Sequence, residues 1–161
     1  MDFAIDWTRR IDFDLLRRER TKSLSAQIKK HKLDAILCFK AENIRYMTGY
    51  RPLWWPISFL TRNAGIMVAD KEPILFPTSG CYERCRDSMY WMPAENIRPL
   101  ATMEDPGIVA EEIEKKFVPA FAELGITEGK IGIDHVSMLT LMKLKEAFPK
   151  ADFVNGDHCV L

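Results

Sequence analysis

The sequence predicts an α/β fold, a mixed-sheet sandwich with helices packed against parallel and antiparallel strands. Short apolar runs at 35–39, 130–134 and 151–155 alternate with longer segments of helical periodicity, as in a sheet joined by helical crossovers. Residues 65–68 and 74–76 bracket the polar run Asp70-Lys71-Glu72-Pro73, which predicts an antiparallel hairpin on the same sheet. A single domain spanning 1–161 is long enough to enclose a full hydrophobic core.

The first helix is expected over 14–31, with Leu16, Leu24 and Ile28 on one face and Arg and Lys residues covering the rest. A strand over 35–39 leads into a turn in which Asn43 is the expected helix cap. Ile44 and Met47 point inward there, and Gly49 is placed to leave the turn with positive φ. After the hairpin, Thr78 or Ser79 opens a helix carrying Cys81, Cys85 and Met89 at i, i+4 and i+8. Residues 97–100 are expected to form a short strand.

Asp105-Pro106 is a strong helix start, an acidic cap followed by proline at the first helical position. Val109, Ile113, Phe117, Phe121 and Leu124 share one stripe of that helix, which ends at Gly125, and Pro119 should kink or split it. A buried strand follows over 130–134. Ser137 caps a last helix, with Leu141, Leu144 and Phe148 inward and Pro149 ending it, before a final strand over 151–155. The remaining residues, 156–161, are expected to be too short for an element. No internal repeat, low-complexity tract or linker is present.

Composition narrows the function. Lys plus Arg and Asp plus Glu are both 23, and this neutrality gives no electrostatic case for nucleic acid as a partner. No apolar run has the length of a membrane span and the N-terminus lacks a signal-peptide pattern, so no membrane partner and a cytoplasmic location are expected. With an ample aliphatic core, Cys38, Cys81, Cys85 and Cys159 read as reduced thiols, not disulfide staples.

Catalytic motifs are sparse. Cys81-x-x-x-Cys85 lacks zinc-knuckle spacing and a paired second half, and Met89 continues its apolar stripe. There is no His-Glu-x-x-His, no Gly-x-Ser-x-Gly elbow and no glycine-rich phosphate loop. His31 ends a helix and His135 follows a strand, positions that need no chemical role. The exception is the segment between Arg51 and Arg62, which holds Trp54-Trp55-Pro56 and Phe59. Adjacent tryptophans in an extended segment point to opposite sides, so at least one is expected to face a partner or cavity. A neighbouring Arg supplies a two-pronged donor for a carboxylate.

The run Asp34-Ala35-Ile36-Leu37, followed by Glu42-Asn43-Ile44-Arg45-Tyr46-Met47-Thr48-Gly49-Tyr50, resembles the N-terminal domain of the creatinase/prolidase/aminopeptidase P (pita-bread, M24) family. The hairpin at 65–76, then Lys130-Ile131-Gly132-Ile133-Asp134 and Ala151-Asp152-Phe153-Val154, continue the likeness, which covers about residues 15–154. The resemblance implies an α/β sandwich with a ribonuclease H-like motif and no chemistry of its own. A following pita-bread domain, absent from this chain, would carry two Asp, one His and two Glu holding two Mn, Zn or Co ions. It further implies a homodimer in which the loop after the Tyr-x-Thr-Gly turn reaches the partner's substrate site. The matching residues are Phe59 and Arg62 by likeness to creatinase-like members, and Trp54 or Trp55 by likeness to aminopeptidase P-like members. The expected substrate is an Xaa-Pro peptide or, for a creatinase or dimethylsulfoniopropionate lyase type, a small zwitterion. A stand-alone binding module using the Trp54–Trp55 loop, and a thiol enzyme using Cys81 or Cys85, are the rival readings.

Overall fold

A computed structural model of the chain describes residues 10–51, 63–103 and 105–160. The five strands among them are β1 (Ala35–Cys38), β2 (Ala64–Met67), β3 (Ile74–Phe76), β4 (Gly129–Ile133) and β5 (Ala151–Asn155), arranged in the order β3-β2-β1-β4-β5. β1 pairs antiparallel with β2 and parallel with β4. β2–β3 is the expected hairpin, and β4–β5 is parallel. The mixed α/β sandwich is therefore the observed fold.

The periodicity of two along β1 explains the layering. Ala35 and Leu37 point to one side, into a core with Ile66, Phe76, Ile131 and Phe121, while Ile36 and Cys38 point to the other, beside Leu24, Ile28, Ile44 and Met67. All four β1 residues are buried, which is why the run reads as continuously apolar. Phe117 lies edge-on to both Phe39 and Phe76 in the first core, with ring centroids 6.1 and 5.1 Å away.

Helices cover both faces. α1 (Phe13–Lys30) is capped by Asp12, whose side chain accepts from the Leu15 amide, and it buries Leu24 and Ile28, leaving Leu16 only partly covered. α2 (Ala41–Thr48) and α3 (Tyr82–Ser88) lie on the same side. On the other side run α4 (Pro106–Glu112), α5 (Val118–Leu124) and α6 (Met138–Ala147). Asp105 caps α4 by accepting from the Gly107 and Ile108 amides, and Ser137 caps α6 by accepting from Thr140, as their sequences predict. The split expected at Pro119 takes the form of a π-helical turn over Ile113–Phe117, joining α4 to α5. That wider turn absorbs a residue with no amide to give and keeps the apolar stripe facing the sheet. Leu124 precedes Gly125, which ends α5 at φ 76°.

Three expectations require correction. Asn43 does not cap its helix: Lys40 occupies the N-cap position, without a side-chain cap bond, and Asn43 lies buried inside α2. Residues 97–100 form no strand. Ile97 and Leu100 make only isolated parallel bridges, one to Leu75 in β3 and one to Thr78 just past its end. The segment after β5 does form an element, a 3-10 turn over Asp157–Cys159, which tucks Cys159 and Val160 into the core.

One close approach fixes the parallel edge. A side chain on Gly156 would meet the Gly132 carbonyl carbon at 2.8 Å, and one on Gly132 would meet Leu33 Cδ1 at 2.7 Å. Gly156 therefore demands glycine for space, because backbone blocks it, whereas at Gly132 the nearest obstacle is the movable end of a leucine side chain.

Candidate functional site

The site grows from the turn that ends α2. Ile44 and Met47 are buried, and Gly49 closes the helix with φ 76°, its amide donating to the Arg45 carbonyl. The Thr48 hydroxyl donates to the Ile44 carbonyl at 2.7 Å and accepts from the Tyr50 amide at 3.1 Å, so the chain leaves the helix along one defined path.

The beginning of α2 is fixed from a distance. The Asp134 carboxylate, just past β4, accepts from the Phe39 amide (2.7 Å), the Lys40 amide (2.9 Å), the Asn43 side chain (3.1 Å) and the His135 amide (2.6 Å). It does what the sequence suggests for Asn43, placing an acceptor where the strand ends and the helix begins. Burial pushes the Asp134 carboxyl above the usual carboxylate range, against the opposing pull of those four donors. Sequence reasoning missed this role. The available signal was an Asp closing an apolar strand that the topology sets beside β1.

Tyr50 and Asn63 form a stem. The Tyr50 hydroxyl donates to Asn63 Oδ1 at 3.2 Å, and the same oxygen accepts from the Thr78 amide at 3.0 Å. Tyr50 is buried, and that burial holds its phenol well above its ordinary range. The chain therefore departs after Tyr50 and returns at Asn63 with its two ends bonded to each other. Arg51 is exposed, its guanidinium 5.8 Å from the Phe13 ring centre. Trp54, Trp55, Phe59 and Arg62, the residues singled out in the sequence, lie outside the described residues. The stem is the part of the candidate site whose geometry is on view.

The turn is also braced from behind. Trp91 Nε1 donates to the Thr48 carbonyl at 2.8 Å, and the Arg17 guanidinium stacks on the Trp91 ring at 3.9 Å. Arg17 pairs with Asp14, and the Tyr90 hydroxyl lies 3.3 Å from each of them. A Cβ on Gly49 would meet Arg17 Cδ at 3.0 Å and Trp91 Nε1 at 3.3 Å. Gly49 thus serves both the backbone conformation and the approach of this brace.

Little reactive chemistry is assembled among the described residues. Cys81, Cys85 and Met89 form a buried stripe, as expected for a core role. Burial pushes the Cys85 thiol up to about 11 and the Cys38 thiol well above its usual value, the opposite of nucleophile activation. His135 is exposed, and His31 stands at the C-cap of α1. Among the described residues no group of three or more His, Cys, Asp and Glu is placed to hold a metal ion, so they do not fit a two-metal centre. No described helix is long and apolar enough to cross a membrane.

Comparison with known proteins gives this geometry a family context. A family model described as the Creatinase/Prolidase N-terminal domain matches residues 20–161. No curated protein matches the chain. Among solved structures, an Xaa-Pro dipeptidase from Bacillus anthracis superposes with TM-score 0.59 at 15% identity, over 89% of this chain and 34% of that one. The N-terminal domain of cytoplasmic peptidase PepQ from Mycobacterium tuberculosis H37Rv gives 0.59 at 18% identity, covering 88% and 95% of the two chains. The N-terminal domain of Xaa-Pro dipeptidase from Lactobacillus brevis gives 0.60 at 16%, covering 86% and 98%. At these identities the likeness is one of fold. The chain spans about a third of the Bacillus anthracis dipeptidase and nearly all of the two N-terminal domains.

Proposed function

The chain belongs to the creatinase/prolidase N-terminal domain family, and from that premise we propose that it is the non-catalytic N-terminal unit of a metallopeptidase-like enzyme of the prolidase and aminopeptidase P type. In this reading it supports a homodimer and lends the loop after Tyr50 to the partner subunit's substrate site. Trp54, Trp55, Phe59 and Arg62 are the contacting residues. The chemistry and its pair of divalent ions belong to a following domain, and the enzyme works in the cytoplasm.

The observation that carries the reading is the stem. Tyr50 and Asn63, bonded to each other and held by Thr78, fix the take-off and return of a segment rich in Trp and Arg. Segments on fixed stems are suited to placing contact residues in another protein's site.

The loop residues favour a substrate with a carboxylate. Arg62 offers a two-pronged donor for it, and tryptophan faces offer either an apolar wall for a prolyl ring or a cation–π surface for an onium group. The Trp54–Trp55 pair is the specific reason to keep a small zwitterion beside an Xaa-Pro peptide as the substrate.

The test combines two assays. The 161-residue chain with Mn²⁺, Zn²⁺ or Co²⁺ should not hydrolyse an Xaa-Pro dipeptide, and turnover would overturn the non-catalytic assignment. In the longer enzyme, Arg62→Ala should raise KM for a carboxylate-bearing substrate by about tenfold, the loss expected for a charge-assisted pair. An unchanged KM would remove Arg62 from the site.

A further inference from the structure

A cleft of about 740 Å³ runs along α1, walled on its far side by the β2–β3 turn and by Tyr90–Met92. Its size falls in the range of small-molecule sites and far exceeds the voids left inside a packed core. The floor is apolar and soft: Met47, Met67 and Met92 are all buried beneath it, beside Trp91. Methionine side chains adapt to apolar bodies of varied shape, so such a floor does not dictate one ligand outline.

The rim has a different character. Among the described residues, five cationic side chains line the cleft against three carboxylates, in a chain whose formal charge is zero. Two of those carboxylates already have partners. Asp14 is bonded to Arg17 and Tyr90, and Asp70 to Ser25 and Lys29. Arg18 and Lys22, one turn apart on the exposed side of α1, make no close ion pair among the described residues, Arg18 adding only a longer-range pull on Asp14. Arg17 Nε is buried with no hydrogen-bond partner, so this wall also keeps an unmatched donor. An apolar floor under an under-neutralised cationic rim is complementary to one class of occupant.

We propose that this cleft binds an anionic amphiphile, a molecule with one negatively charged head on an apolar body. The head sits at Arg18 and Lys22, and the body lies over Met47, Met67 and Met92. The proposal stands apart from the peptidase reading, because the residues it uses lie on α1, α2, β2 and the 90–92 segment, and none belongs to the loop after Tyr50.

Octanoate, octylamine and octyl glucoside share a tail and differ in head, so titrating each into the 161-residue chain separates charge from greasiness. Octanoate should bind saturably with chemical-shift changes at Met47, Met67 and Met92 methyls, and should weaken as salt rises. Octyl glucoside should bind more weakly and octylamine not at all. Arg18→Glu with Lys22→Glu, both at exposed positions, should weaken octanoate by about tenfold through lost attraction and new repulsion. Ala26→Trp, also exposed, should occlude the cleft without altering charge and should reduce binding to a similar degree. The proposal is overturned by equal binding of octanoate and octylamine, by octanoate affinity unchanged in either variant, or by shifts that avoid the three methionines. Retained circular dichroism in both variants keeps a loss of binding from being a loss of fold.

Discussion

The Asn43 side chain donates to the Asp134 carboxylate at 3.1 Å, joining α2 to the end of β4 across 91 residues of sequence. That bond, with the two backbone amides at Phe39 and Lys40, sets where α2 begins. Truncating Asp134 to Ala leaves these donors without their acceptor, and unmade bonds to a half-buried charge are costly. Asp134→Ala should lose about 2 kcal/mol in urea denaturation and Asn43→Ala about 1. The double mutant should lose less than their sum, since the two share one bond. Strict additivity would show that the pair is not coupled.

The two aspartates that tie distant segments together should respond to pH in opposite senses. Lys29 and Ser25 hold Asp70 below the usual 3.8. Its contribution is present above that value and is lost as pH falls through its lower folded value. Asp134 is raised by burial, so its contribution is fully present below 3.8 and declines as pH rises through its higher folded value. Urea midpoints against pH should therefore show Asp70→Asn losing its disadvantage in acid. The disadvantage of Asp134→Asn should shrink toward neutral pH. Parallel profiles for the two variants would contradict the assignment.

Gly49 and Gly125 share φ 76° but differ in surroundings. An alanine at Gly125 meets nothing within 4 Å and should cost only the left-handed backbone penalty, about 1 kcal/mol. At Gly49 it also meets Arg17 and Trp91, so Gly49→Ala should cost more, about 2 kcal/mol. It should also perturb Trp91 fluorescence. Equal costs at the two sites would mean the brace moves aside freely.

Much of this fold was legible because its signals are local. The Asp105-Pro106 and Ser137 caps, the stripe from Val109 to Leu124 and the hairpin each lie within a few consecutive turns of chain. What escaped was long-range. Asn43 satisfies the local rules for a helix cap, yet a carboxylate 91 residues away claims its side chain and shifts the helix start to Ala41. Residues 97–100 have strand-like composition but make only two isolated bridges, one to β3 and one just past its end. The stem pairs Tyr50 with Asn63 and Thr78, and the cleft draws on residues 14–29, 47–48, 67–73 and 90–92, neither of which any spacing rule connects.

The four cysteines should behave as core residues. All are buried and free, and at Cys38 and Cys85 burial opposes thiolate formation. A thiol-reactive disulfide reagent at pH 8 should label the native chain slowly and release four equivalents on unfolding. Rapid labelling of one thiol in the native state would revive a role for it in chemistry.

The central claim, a loop that acts in a partner's site, is tested most directly by subunit mixing in the longer enzyme. One variant would carry Trp54→Ala, Trp55→Ala, Phe59→Ala and Arg62→Ala; the other would keep the loop and lose a metal-ligating residue of the catalytic domain. Each homodimer should be nearly inactive. If the loop serves the opposite subunit, the mixed dimer unites an intact loop with the intact metal centre across the interface, and activity should reappear on mixing. Two inactive parents whose mixture stays inactive, with heterodimers confirmed by mass, would place the loop in its own subunit's site or in none.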